Sequence, residues 1–83
     1  MTVQVVYFAW LRERIGVPSE EVELAGTSVQ DLVDQLKSRE ERYQLAFQDM
    51  SSVRVAVNQE LTDYSATLSG GEEVAFFPPM TGG

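Results

Sequence analysis

Hydrophobic and polar positions along this chain change their rhythm several times, and each change marks an element. Residues 3–9, Val-Gln-Val-Val-Tyr-Phe-Ala, are β-branched and aromatic, which predicts a strand. Their apolar run is nearly unbroken, as in a strand inside a sheet. Residues 10–15 fit a short helical turn that Gly16 ends. Residues 20–24, Glu-Glu-Val-Glu-Leu, alternate as a half-exposed strand does, and Gly26 breaks them. Val29, Leu32, Val33 and Leu36 then recur at i, i+3, i+4, i+7, one buried helical face. Thr27 with Gln30, or Ser28 with Asp31, has the spacing of a reciprocal capping box at the start of that helix.

Residues 40–48 predict a second, weaker helix anchored by Tyr43, Leu45 and Phe47. Val53, Val55 and Val57 alternate with Arg54 and Ala56 as a third strand. Asn58-Gln59 is a turn signal, and Glu60-Leu61-Thr62 returns as a short strand. Ser69-Gly70-Gly71 is a tight turn before a last strand at residues 72–77. The order β-β-α-β-β with one main helix predicts an α+β fold: a mixed sheet with that helix packed on one face. The first and last strands are the most apolar, so they belong side by side at the centre, with the third and fourth nearer the edges. That is the β-grasp arrangement. Eighty-three residues suit one domain, 1–83. Residues 78–83 are expected to be its extended, flexible tail.

The tail carries the candidate chemistry. Phe76-Phe77-Pro78-Pro79-Met80-Thr81-Gly82-Gly83 has no charged side chain. Proline favours extended polyproline geometry, so Pro78-Pro79 directs the last residues away from the body. Gly82 and Gly83 lack a Cβ and fit a passage too narrow for other residues. Such a terminus suits a partner's active site, although frayed ends are also common. Phe76 and Phe77 are strand neighbours and cannot both face the core. Phe77 is expected to be the exposed one, an anchor for a partner.

Charge and composition narrow the function. The net charge is −7, and no Lys or Arg follows Arg54. The C-terminal third is thus anionic, which argues against nucleic acid, since that ligand needs basic patches. Glu60, Asp63, Glu72 and Glu73 are suited to steering toward a basic partner. No apolar run has the length of a membrane span, and the opening residues show no signal-peptide pattern. With no cysteine there is no disulfide framework, and a cytoplasmic location is expected. Histidine is absent too, which removes a Ser-His-Asp triad and most transition-metal sites. The adjacent acids Glu20-Glu21, Glu40-Glu41 and Glu72-Glu73 do not converge, and are expected to be solvated. The reactive group on offer is the terminal carboxylate of Gly83.

The opening Tyr7-Phe8-Ala9 followed by Leu11-Arg12-Glu13, the Val57-Asn58-Gln59 turn, and residues 71–79 running into Gly82-Gly83 together resemble the small, sulfur-carrying subunits of molybdopterin synthase, a ubiquitin-like family. The Gly-Gly end is shared with carriers for thiamine thiazole synthesis and tRNA thiolation; the Phe-Phe-Pro-Pro stretch is the sharper mark. The resemblance implies that a ubiquitin-activating-type adenylyltransferase uses ATP to adenylate Gly83, and that a sulfur donor protein converts it to a thiocarboxylate. It also implies that the tail enters a large synthase subunit, which holds the catalytic groups, and gives its sulfur to cyclic pyranopterin monophosphate. No cofactor or metal bound by this chain is expected. The resemblance further implies that Gly82 lies in the partner's active site and that Met80 and Thr81 contact the partner with Pro78 and Pro79. By the same similarity Tyr7 and Leu61 join Phe77 in the contact patch, leaving Phe8 to the core. Trp10 is expected to be structural, and Arg12 either meets the activating enzyme or pairs with a nearby acid. The alternatives are a carrier for one of the other two pathways, or a β-grasp binding module whose tail never reacts.

Overall fold

The nearly continuous apolar run near the start is explained by its neighbours on both sides. In the computed structural model, which describes residues 1–79, Thr2–Tyr7 (β1) lies between Ser19–Glu23 (β2) and Glu73–Phe77 (β5). β1 runs antiparallel to β2 and parallel to β5. Arg54–Val57 (β3) pairs antiparallel with the other edge of β5, and Glu60–Thr62 (β4) closes the far side. The order β2-β1-β5-β3-β4 therefore places the last strand in the middle of a mixed sheet.

Period two divides each strand between two faces. Val3, Val5 and Tyr7 of β1, Val22 of β2, Val55 of β3, and Val74 and Phe76 of β5 form the inner face and are all buried. Against them lies Val29–Lys37 (α2), whose Val29, Leu32, Val33 and Leu36 are fully buried, as their spacing predicts. Ser28 caps this helix with the Asp31 box. The Ser28 hydroxyl accepts from the Asp31 amide at 3.1 Å, and Asp31 Oδ2 accepts from the Thr27 and Ser28 amides at 2.9 and 3.2 Å. The chain approaches that carboxylate so closely at Gly26 that a Cβ there would collide with the Asp31 side chain.

Two shorter helices complete the inner layer. Ala9–Ile15 (α1) contributes Leu11 and Ile15, and ends where Gly16 takes a left-handed φ of 96°. Glu41–Ala46 (α3) is a poorer match to expectation. Tyr43 and Phe47 are buried, but Leu45 is 48% exposed, and Ala46 packs inward in its place. Tyr43, Ala46 and Phe47 stand at i, i+3, i+4, which turns Leu45 outward.

β1 is shorter than its apolar run, and this reverses the expected roles of two residues. The strand stops at Tyr7; Phe8 caps α1, and Ala9 takes a positive φ of 54°. Tyr7 shares the inner face with Val3 and Val5 and is 1% exposed, whereas Phe8 is 47% exposed. Tyr7 is therefore a core residue and not part of a surface contact patch. Phe8 takes the outer position expected of Tyr7. The available signal was Gln4, a polar residue on the Val6 and Phe8 face only.

Candidate functional site

The outer face of the sheet carries no helix among the described residues, and an apolar row crosses it. Register aligns Val6 with Ala75, Ala75 with Ala56, and Ala56 with Leu61, so one line of apolar side chains spans four strands. Ala56 and Ala75 stand outside the main core cluster, although little of either is exposed. Their short side chains make the floor of a shallow trough. Phe8, Gln59, Glu73, Phe77 and Pro78 wall it, and Leu61 projects beyond it, 72% exposed.

Local backbone geometry sets the rim. Phe8 is anchored by its own amide, which donates to the Phe76 carbonyl at 3.1 Å. Asn58 and Gln59 form the two-residue turn between β3 and β4 with φ of 50° and 69°. Two consecutive left-handed residues are what a tight hairpin turn needs. Asn58 tolerates that conformation and is fixed by two contacts. Its amide donates to the Glu73 carbonyl at 2.8 Å, and its Oδ1 accepts from the Glu73 amide at 3.0 Å. Gln59 is thereby held at the trough's edge.

The two phenylalanines at the end of β5 divide as the strand period requires. Phe76 is fully buried, meeting Phe47 edge-on at 5.1 Å and stacking with Tyr7 at 6.3 Å. Phe77 is half-buried on the trough wall, and Pro78 and Pro79 continue from it. Met80, Thr81, Gly82 and Gly83 lie outside the described residues. Of the expected patch, the structure thus brings together Phe77 and Pro78 with Leu61 on the same face, adds Phe8, and removes Tyr7.

The acidic residues near the trough do different jobs. Glu72 folds onto the preceding turn. Its carboxylate accepts from the Ser69 amide at 2.8 Å, the Ser69 hydroxyl at 3.0 Å and the Gly70 amide at 2.7 Å. The Ser69 amide chiefly, with the Gly70 amide and the Ser69 hydroxyl adding, holds this carboxyl below its ordinary range. Asp63 is held low in the same way, mainly by the Ser65 hydroxyl. Glu60 is exposed and Glu73 half-exposed.

Elsewhere Glu20 departs from the expected solvated acid. It accepts from the Tyr7 and Tyr43 hydroxyls and pairs with Arg39 at 3.3 Å. Trp10 packs partly buried against the core, with the Arg14 guanidinium 5.1 Å from its ring centre, and Arg12 is exposed on α1. Among the described residues no cluster of three or more acids gathers as a metal set, and no helix is long and apolar enough to cross a membrane.

A five-stranded sheet of this order, its first and last strands parallel at the centre and a helix packed beneath, is the ubiquitin-like β-grasp fold. Residues 5–83 match the model of the ThiS family, and the chain belongs to that family. It is 42% identical over 83 residues to the molybdopterin synthase sulfur carrier subunit of Mycobacterium tuberculosis, covering 98% of this chain and 96% of that one. To the molybdopterin synthase sulfur carrier subunit of Escherichia coli it is 38% identical over 81 residues, covering 98% and 99%. The solved structure of a putative molybdopterin converting factor subunit 1 from Pyrococcus furiosus superposes with a TM-score of 0.79 at 34% identity, over 96% of this chain and 99% of that one. In a Helicobacter pylori complex of subunits 1 and 2 of the molybdopterin-converting factor, the matching chain shares the fold, with a TM-score of 0.69 at 21% identity over the full length of both.

Proposed function

We propose that this chain is a sulfur carrier of molybdenum cofactor biosynthesis, the small subunit of a molybdopterin synthase. The geometric observation that carries the reading is continuity. β5 contributes Ala75 and Phe77 to the apolar trough and runs straight on into Pro78 and Pro79. A partner seated on the trough therefore receives whatever follows. Family membership over residues 5–83 and identity to sulfur carrier subunits along almost the whole chain support the chemistry.

In this reading the chain is one domain with residues 78–83 as its tail, and works in the cytoplasm. It binds no cofactor of its own. A carboxylate is a poor acyl donor. A ubiquitin-activating-type adenylyltransferase therefore spends ATP to make the Gly83 acyl-adenylate, and a sulfur donor protein displaces AMP to leave a thiocarboxylate. The tail, from Pro78 through Met80 and Thr81 to Gly82 and Gly83, then enters the large synthase subunit. There the sulfur passes to cyclic pyranopterin monophosphate, two carriers being consumed per dithiolene. Phe77, Phe8 and Leu61 anchor the large subunit, and Gly82 supplies the thinness that admits the end.

The test is reconstitution with the adenylyltransferase, ATP and a sulfur donor, followed by intact mass and co-purification. Replacement of one carboxyl oxygen by sulfur, together with capture of a pterin-synthase large subunit, is the expected result. No change in mass overturns the carrier reading. A thiocarboxylate chain that instead captures a thiazole synthase or a tRNA-thiolating enzyme moves it to another pathway.

A further inference from the structure

Lys37 is the only lysine in the chain, against five arginines, and there is no cysteine. A guanidinium stays protonated and does not attack acyl groups, so arginine keeps the positive charge without the nucleophile. Only two amines remain. The N-terminal amine is paired with Glu23 at 3.3 Å. Lys37, the last residue of α2, makes no ion pair among the described residues. It is half-buried in an open groove between α2 and α3, lined also by Asp34, Ser38, Glu41, Gln44, Leu45 and Gln48. The exposed Gln44 and Gln48 offer hydrogen bonds to an extended backbone, and the exposed Leu45 offers an apolar contact. Asp34 and Glu41 give the groove a negative lining.

We propose that Lys37 is an acyl-acceptor site, the one side chain through which a second copy of this chain can be joined by its activated terminus. The proposal rests on the activation of Gly83 described above. The Lys37 ammonium of one copy first gives up a proton. Its Nζ then attacks the carbonyl carbon of the Gly83 acyl-adenylate of another copy. A C–N bond forms, the C–O bond to AMP breaks, and AMP leaves with that electron pair. The nitrogen sheds a second proton as the amide forms, and both protons pass to solvent through the open groove. Sulfur transfer competes with this step, so the linked pair accumulates when the sulfur donor is scarce.

The full-length chain is incubated with the adenylyltransferase and ATP, without a sulfur donor, beside Lys37→Arg. The wild-type chain is expected to give a covalent dimer. Because no Lys or Arg follows Arg54, trypsin should leave residues 55–83 of one copy attached to residues 15–39 of the other. Lys37→Arg, checked for folding by circular dichroism, should form the adenylate and lose the dimer. A branch at Met1, a link within one copy, or adenylate accumulating in the wild type with no dimer overturns the acceptor role alone. Absence of adenylate from both chains overturns the activation itself, and the acceptor role with it.

Discussion

Tyr7 and Tyr43 donate their hydroxyls to the same oxygen of Glu20, at 2.9 and 2.7 Å, and so tie β1 and α3 to β2 through one carboxylate. Both phenols are pushed up from their ordinary value, first by burial and then by the hydrogen bond to Glu20 and its charge. In the unfolded chain they ionise near pH 10. Above that pH the folded state holds more protons than the unfolded state, so stability must fall as pH rises. Below about pH 10 these groups contribute fully.

Urea unfolding between pH 7 and pH 11.5 should therefore show constant tyrosine-linked stability up to roughly pH 10 and a decline beyond it. Tyr7→Phe should cost on the order of 1–3 kcal/mol at neutral pH, a hydrogen bond to a charged group, and should make the alkaline decline shallower. An alkaline limb as steep in the variant as in the wild type would show that Tyr7 is not its source.

The end of β5 predicts opposite results for neighbouring substitutions. Phe76→Ala empties a fully buried site between Tyr7 and Phe47 and should cost about 3–5 kcal/mol of stability. Phe77→Ala should leave stability nearly unchanged and weaken binding of the large subunit by roughly 1–3 kcal/mol. Calorimetric titration beside denaturant unfolding measures both. Equal losses of stability from the two variants would place Phe77 in the core.

Glu72 and Glu73 also separate. Glu72→Gln removes a charged acceptor from the Ser69 and Gly70 amides and should lower Tm by about 5 °C. The depressed carboxyl works in one direction. Its contribution is present above the ordinary carboxylate value and fades as pH falls through the lowered one. The Tm difference between wild type and Glu72→Gln should accordingly shrink below about pH 4. Glu73→Gln, whose contact to Asn58 is made by its backbone, should leave Tm unchanged. It should slow association with a basic partner and flatten the salt dependence of that rate. Equal melting curves for the two variants would mean that the turn does not need the Glu72 charge.

Much of the fold was legible because it follows from periodicity. Val29, Leu32, Val33 and Leu36 declare a helix face, and Phe76 with Phe77 declares a division between sheet faces. What periodicity does not declare is which face is covered. For β1 the two sets, Val3, Val5 and Tyr7 against Gln4, Val6 and Phe8, are both largely apolar. The choice rests on Gln4 and on a left-handed Ala9 that no propensity favours. In sequence Glu20 looks like a solvated acid because its partners, Tyr7 and Tyr43, are 13 and 23 residues away. The trough was equally hidden. Ala56 and Ala75 look unremarkable in sequence and matter only because register sets them side by side.

The central place of β5 bears on how the protein is made. A chain leaves the ribosome N-terminus first. Here the strand that both β1 and β3 need as a neighbour is the last to emerge. A nascent or prematurely terminated chain ending before Glu73 has two unpaired sheet edges and no Phe76 in its core, so it should remain a substrate for proteases. Folding thus acts as proofreading: a copy that has become folded has been translated at least as far as Phe77.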